Sequence, residues 1–151
     1  MNATANPQIF SGRQAGFATA MMVNFLWINA SEVWRYFVII RPLLLETFPG
    51  QAGIAPVTLP IAVSWALWDG LLILAATQYY AMHLRAYGHS GFQVVLSATA
   101  FTITVFGLLW LAAVNMGLAP SLFLWRALPL AWLEQVIAAL ITLWAMRPKS
   151  P

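Results

Sequence analysis

A chain of 151 residues that is 62% hydrophobic and 7% charged falls far below the roughly 25% of charged residues in an ordinary soluble domain, which excludes a water-soluble globular fold and points to a bilayer as solvent. The length accommodates a single membrane domain, residues 1–151, with four spans of ~20–25 residues and short connections. The absence of cysteine excludes disulfides, thiolate metal sites and thiol redox chemistry, and a net charge of +3 from seven basic and four acidic residues is too thinly spread for nucleic-acid binding.

The N-terminal stretch MNATANPQIFSGRQAG has no early basic cluster and no short apolar core ending in a small-residue cleavage site, so the first apolar segment reads as a retained span, not a signal peptide. Span one runs from about Gly16 to Arg41, where Pro42 disfavours helical geometry for Arg41 and ends or kinks the helix. The following LLLETFPGQAGIAPVTLP is rich in Pro and Gly and reads as a loop, with one interfacial turn at Leu43 to Phe48. Span two covers about Pro60 to Leu84, and the polar turn RAYGHSG closes a hairpin at Arg85 to Gly91. Span three, about Phe92 to Met116, is free of formal charge; Gly117 to Pro120 lead into span four, about Ser121 to Met146, which ends in the basic tail RPKSP.

With four spans, Arg13, Arg85, Arg147 and Lys149 fall on one side, and the positive-inside rule puts both termini in the cytoplasm. The expected fold class is therefore all-α: a polytopic membrane protein whose four transmembrane helices form an up-down-up-down bundle, of the bacterial plasma (inner) membrane type. Arg41 dissents at the outer end of span one, where it snorkels outward or pairs with Glu46. A faint echo between Ser31, Trp34, Arg35 and Ser121, Trp125, Arg126 is too weak to make an internal repeat.

Span one places a glutamate and an arginine inside an apolar helix, and a charge at a bilayer centre costs ~2.5–3.5 kcal/mol or more. Glu32 and Arg35 must therefore face protein, water or each other. At ~100° per residue, Asn24, Asn29, Ser31, Glu32, Arg35 and Tyr36 share an arc of about 160°, opposite Leu26, Ala30, Val33 and Phe37. Span two gathers Trp65, Asp69, Ala76, Tyr80 and His83 within roughly 60° by the same projection. Span three aligns Ser97, Thr104 and Asn115, and span four has Glu134, Gln135, Ala138 and Thr142 on one broad side with Arg126 well round from Glu134.

Depth, counted at 1.5 Å per residue, puts Glu32 and Asp69 each ~13 Å from the outer end of their spans, Arg35 and Arg126 ~9 Å in, and Glu134 at roughly 20 Å. The expected site is a stack in the outer half: arginines above, two acids beneath, a third acid toward the middle. A structural reading competes with it, in which Glu32 and Arg35 neutralise each other one turn apart and Asp69 and Arg126 form an interhelical ion pair. Three acids against two arginines, with uncharged donors beside them, favour a polar cavity that admits water, a proton or a ligand. Trp65, Trp125 and Trp144 fit interfacial belts; Trp27 and Trp132 lie deeper and need indole N–H partners, which the acids can supply.

Three functions fit this pattern. In the first, a small transport or binding protein, of necessity a homodimer because four spans are few, receives a solute or proton in an outward-facing cavity with Glu32, Asp69 and Glu134 as titratable groups. Asn29, Arg35, Tyr36, Trp65, Trp68, Tyr80, Asn115, Arg126 and Trp132 are its candidate substrate-binding residues. In the second, a membrane-embedded enzyme uses the same acids for acid/base chemistry on a lipophilic, isoprenoid or sterol-like substrate, with Trp65, Trp68 and Trp132 lining the pocket. The third is an accessory subunit of a larger membrane complex. No cofactor and no metal is expected: His83 and His89 lack a companion ligand cluster, and phosphate loops, nucleophile elbows and zinc signatures are absent. Small multidrug-resistance transporters also have four spans and a glutamate in the first, but this chain is longer, its glutamate comes late in the span, and spans two and four carry further charges.

Overall fold

The computed structural model describes residues 7–51, 53 and 57–147, with side chains from residue 14 onward. Every regular element among the described residues is helical, as expected where no solvent satisfies backbone N–H and C=O groups and each segment must pair its own. The first rod joins α1 (Pro7–Arg35), a π-helical segment (Tyr36–Ile40) and α2 (Arg41–Thr47); α3 is Leu59–Tyr87. A third rod joins α4 (Gly91–Thr102), a second π segment (Ile103–Gly107) and α5 (Leu108–Asn115), and α6 is Leu122–Met146. The segments Leu59–Tyr87, Gly91–Asn115 and Leu122–Met146 are long and apolar enough to cross a membrane. The first rod, interrupted by Glu32 and Arg35, is not among them.

Local chemistry sets the ends. Pro60 in the first turn of α3 follows an extended Thr58, and Gly88, at φ +98°, closes that helix with its N–H on the Leu84 carbonyl. Ser90 caps α4 by accepting the Gln93 N–H at 3.3 Å, a standard way to satisfy a free donor in the first turn.

The end of the first rod differs from expectation. Arg41 keeps helical angles, φ −60° and ψ −49°, and its N–H donates to the Tyr36 carbonyl five residues back. In a regular α-helix the Pro42 ring would press on the carbonyl of Val38. Widening one turn to an i+5 bond makes room, so of the two outcomes expected at Pro42, an end or a local distortion, the helix takes the second and continues to Thr47. The stretch read as a loop with one turn thus begins as two further helical turns.

Side-chain pairs fix how the rods lie together. Asn24 meets Thr77 and Thr142, while Tyr36 meets Trp65 near the start of α3, so α1 runs antiparallel to α3. Gly16 abuts Ala145 at the other end of α6, His83 bonds Gln93 across the α3–α4 turn, and Trp110 stacks on Phe123 across the α5–α6 turn. Helices α1 and α4 each pack on α3 and α6, and α3 touches α6 along a diagonal. The larger apolar core collects Ile28, Ile73, Ala76, Val94, Phe101 and Leu143, and a smaller one Ile40, Leu43, Ala119 and Phe123. Buried alanines on α6 (Ala127, Ala131, Ala138, Ala139) bring the backbones close, as small residues do between helices in lipid.

Candidate functional site

Five side chains from three helices form one continuous polar chain through the larger core. Tyr80 on α3 donates its hydroxyl to Gln135 Oε1 at 2.7 Å, and Gln135 Nε2 donates to Glu134 Oε1 at 2.9 Å. The other carboxylate oxygen of Glu134 accepts from Arg35 Nη1 at 3.2 Å, and Arg35 Nη2 donates to Glu32 one turn earlier on α1. Side-chain exposure falls from 22% at Glu32 to 6% at Arg35 and 1% at Glu134, so the chain leads from an accessible carboxylate to a sealed one. Asp69 on α3, half-buried, lies within electrostatic reach of both Glu32 and Arg35.

Helix geometry explains why these side chains converge. Residues 32 and 35 are one turn apart and share a face, and the π segment opens directly after Arg35. The second π segment carries Phe106, whose ring lies under the guanidinium with Cζ 5.6 Å from its centroid. The two departures from α geometry therefore flank one arginine. Below this layer, Asn24 Nδ2 donates to Thr77 at 3.0 Å and Thr142 at 3.1 Å. Asn24 Oδ1 and the Tyr36 hydroxyl are buried without a partner among the described residues, a costly state for a polar atom.

The expected site residues divide sharply. Glu32, Arg35, Glu134 and Tyr80 are joined by hydrogen bonds, with Asp69 beside them and Tyr36 just above, its ring packed edge-on to Trp65 at 4.3 Å. The others are elsewhere. Asn29 bonds the Phe25 carbonyl of its own helix at 2.8 Å, and Trp68, Asn115 and Arg126 are exposed. Trp132 points outward and donates to Thr99 at 2.9 Å. Trp27 finds its acceptor in the main-chain carbonyl of Glu134 at 3.0 Å, not in a carboxylate. Arg126 pairs with neither Asp69 nor any other acid among the described residues, where both ion pairs belong to Arg35.

The depths change as well. Because the first rod runs on to Thr47, Glu32 lies fifteen residues, ~22 Å, from its end. Glu134 stands at the midpoint of α6, about 18 Å from either terminus. The aligned edge of Ser97, Thr104 and Asn115 does not form, since Ser97 is buried while the other two are exposed. Gln135, Asn24, Thr77 and Thr142 enter as partners that the charged residues had overshadowed, although Asn24 and Gln135 already lay on the polar faces.

Chemically, the layer holds three carboxyl groups (Glu32, Asp69, Glu134) around one guanidinium among the described residues. Such a set can take up positive charge. Among the described residues no group of three or more His, Asp or Glu side chains is placed to share an ion, and His83 is engaged by Gln93 at 2.8 Å. Comparison of the chain with family models, with curated proteins and with solved structures finds no match.

Proposed function

We propose that the chain is a small integral membrane protein of the bacterial plasma membrane, with four antiparallel spans and both termini cytoplasmic, whose polar layer binds or translocates a proton or small solute. A single observation carries this reading: Glu32 and Glu134 share one guanidinium while Asp69 stands by without a charge partner of its own among the described residues. A proton arriving at the more accessible Glu32 releases Arg35 toward Glu134, and Asp69, within electrostatic reach of both Glu32 and Arg35, is a second accessible proton acceptor. A proton on Glu134 returns Arg35 to Glu32. The arginine thus couples the occupancy of an accessible acid to that of a sealed one, as intramembrane acids do in proton relays. Gln135 and Tyr80 extend the hydrogen-bonded line from Glu134. Arg85 in the α3–α4 turn and Arg147 after α6 fall at one end of the bundle, which supports the cytoplasmic assignment of that end. Four spans are few for a whole transporter, so the working unit is proposed to be a homodimer.

The test is proton flux into vesicles loaded with a pH-sensitive dye and driven by an inside-negative potential. Reconstituted protein should acidify the lumen, and Glu134→Gln and Asp69→Asn should fold yet lower the flux by roughly 100-fold, the scale of a lost acid–base group. No flux, together with turnover of a lipid extract followed by mass spectrometry, would replace this reading with that of an enzyme. Copurification of a stoichiometric partner would replace it with that of an accessory subunit.

A further inference from the structure

A groove of about 420 Å³ runs between the first π segment, α2 and the opening turns of α6, away from the polar layer. Its lining is apolar along Val38, Leu43 and Leu130, with Leu43 buried and Val38 open to the surface, and its rim carries one charge of each sign, Glu46 and Arg126. Both are exposed, and no ion pair joins them among the described residues. Glu46 is the penultimate residue of α2, and Arg126 lies four residues into the antiparallel α6, so both charges mark the same end of the bundle. From Glu46 down to Val38 is eight residues, about 12 Å along the axis. The groove therefore leads from a charged rim into a hydrocarbon-like slot. Pro129 in its wall has no N–H to give, which leaves the Trp125 carbonyl without its usual donor.

We propose that this groove binds a phospholipid with a phosphoethanolamine headgroup, its phosphate on Arg126, its ammonium on Glu46 and one acyl chain along Val38, Leu43 and Leu130. Arginine presents a planar fork of donors that matches phosphate oxygens, and a carboxylate beside it matches a primary ammonium with three N–H donors. A trimethylammonium headgroup has no N–H to offer Glu46. A phosphoglycerol headgroup sets its charge beside that carboxylate with no cation to offset it. The inference rests on the bilayer placement proposed above, and is independent of the chemistry of the polar layer.

Native mass spectrometry of the detergent-purified protein, titrated with equal amounts of dioleoyl phosphatidylethanolamine, phosphatidylcholine and phosphatidylglycerol, tests it. The ethanolamine lipid should be retained roughly tenfold better than the other two, the scale of one hydrogen bond to a charged group. Arg126→Gln should weaken all three adducts, and Glu46→Gln should bring phosphatidylglycerol level with phosphatidylethanolamine. Both side chains are exposed, and unchanged thermal unfolding of the variants serves as the fold control. Equal retention of the three lipids by the unmodified protein, or an ethanolamine preference that survives both substitutions, overturns the proposal. So does displacement of the lipid by soluble glycerophosphoethanolamine at the lipid's own concentration, because the apolar lining would then contribute nothing. A wrong bilayer placement would show separately, in the sidedness of the loops.

Discussion

Arg35 is held by carboxylates before and beside it, at 5% exposure, and its removal is therefore unlike the removal of either acid. Breaking a buried pair by deleting one partner typically costs ~3–5 kcal/mol, because the other charge is left without compensation, whereas replacing both by apolar residues of similar volume is often neutral. Arg35→Met should accordingly destabilise the fold by about 3–5 kcal/mol, and Arg35→Met with Glu134→Met should recover most of that loss. Glu32→Gln, at a more accessible site, should cost about 1 kcal/mol, the scale of an exposed pair. Unfolding in mixed micelles, followed by circular dichroism, reads all three, and simple additivity of the two methionine substitutions would show that Arg35 and Glu134 are not coupled. At this scale the sequence was informative about charge and nearly silent about partners. Glu32, Arg35 and Glu134 stood out because lipid penalises them, whereas Gln135, Thr77 and Thr142 are ordinary in a membrane helix until their neighbours are known.

Helices in this bundle are placed by departures from regularity that hydrophobic periodicity does not report. A π segment adds about one residue to a turn, which slips the helix phase by about 100°. Asn115 lies beyond such a segment and loses the alignment with Ser97 that a straight projection gives it. Ahead of the first π segment the projection holds: Asn24 and Arg35 are buried, while Leu26, Ala30 and Val33 are exposed. Deleting Phe37, an exposed residue of that segment, should restore α geometry and turn Arg35 by about 100° relative to α2. The expected loss of stability matches that of Arg35→Met, and a deletion variant as stable as the parent would show that the segment does not set the position of Arg35. Close approach is the second device. A Cβ added at Gly16 would lie 2.8 Å from the Ala145 carbonyl oxygen, whereas one added at Gly70 meets nothing within 4 Å. Gly16→Ala should thus destabilise by about 1–3 kcal/mol through overpacking against backbone, and Gly70→Ala should be neutral or stabilising by up to about 1 kcal/mol. The ordering of their melting temperatures is the readout, and a Gly16→Ala variant that melts no lower than the parent would mean that α1 and α6 do not meet there.

For the molecule as a whole, composition points to a helical membrane protein, and sustained hydrophobicity between Pro and Gly breaks places the bounds of three apolar helices within about three residues. The first rod is not among those segments, since the charges that make it interesting also lower its hydropathy. Packing argues for a crossing: α1 lies along both α3 and α6 over much of their length, from Gly16 beside Ala145 to Tyr36 beside Trp65. The chain contains no cysteine, so single-cysteine variants report sidedness without background. Gln14 is exposed in the early turns of α1, and Gln51, His89 and Leu118 are exposed between successive rods. In intact cells a membrane-impermeant maleimide should label Gln51→Cys and Leu118→Cys, and should reach Gln14→Cys and His89→Cys only after permeabilisation. Labelling of Gln14→Cys together with Gln51→Cys would mean that the first rod does not cross. The polar layer would then face one compartment only, and Arg35 could bind a proton's counter-charge but not relay a proton across the membrane.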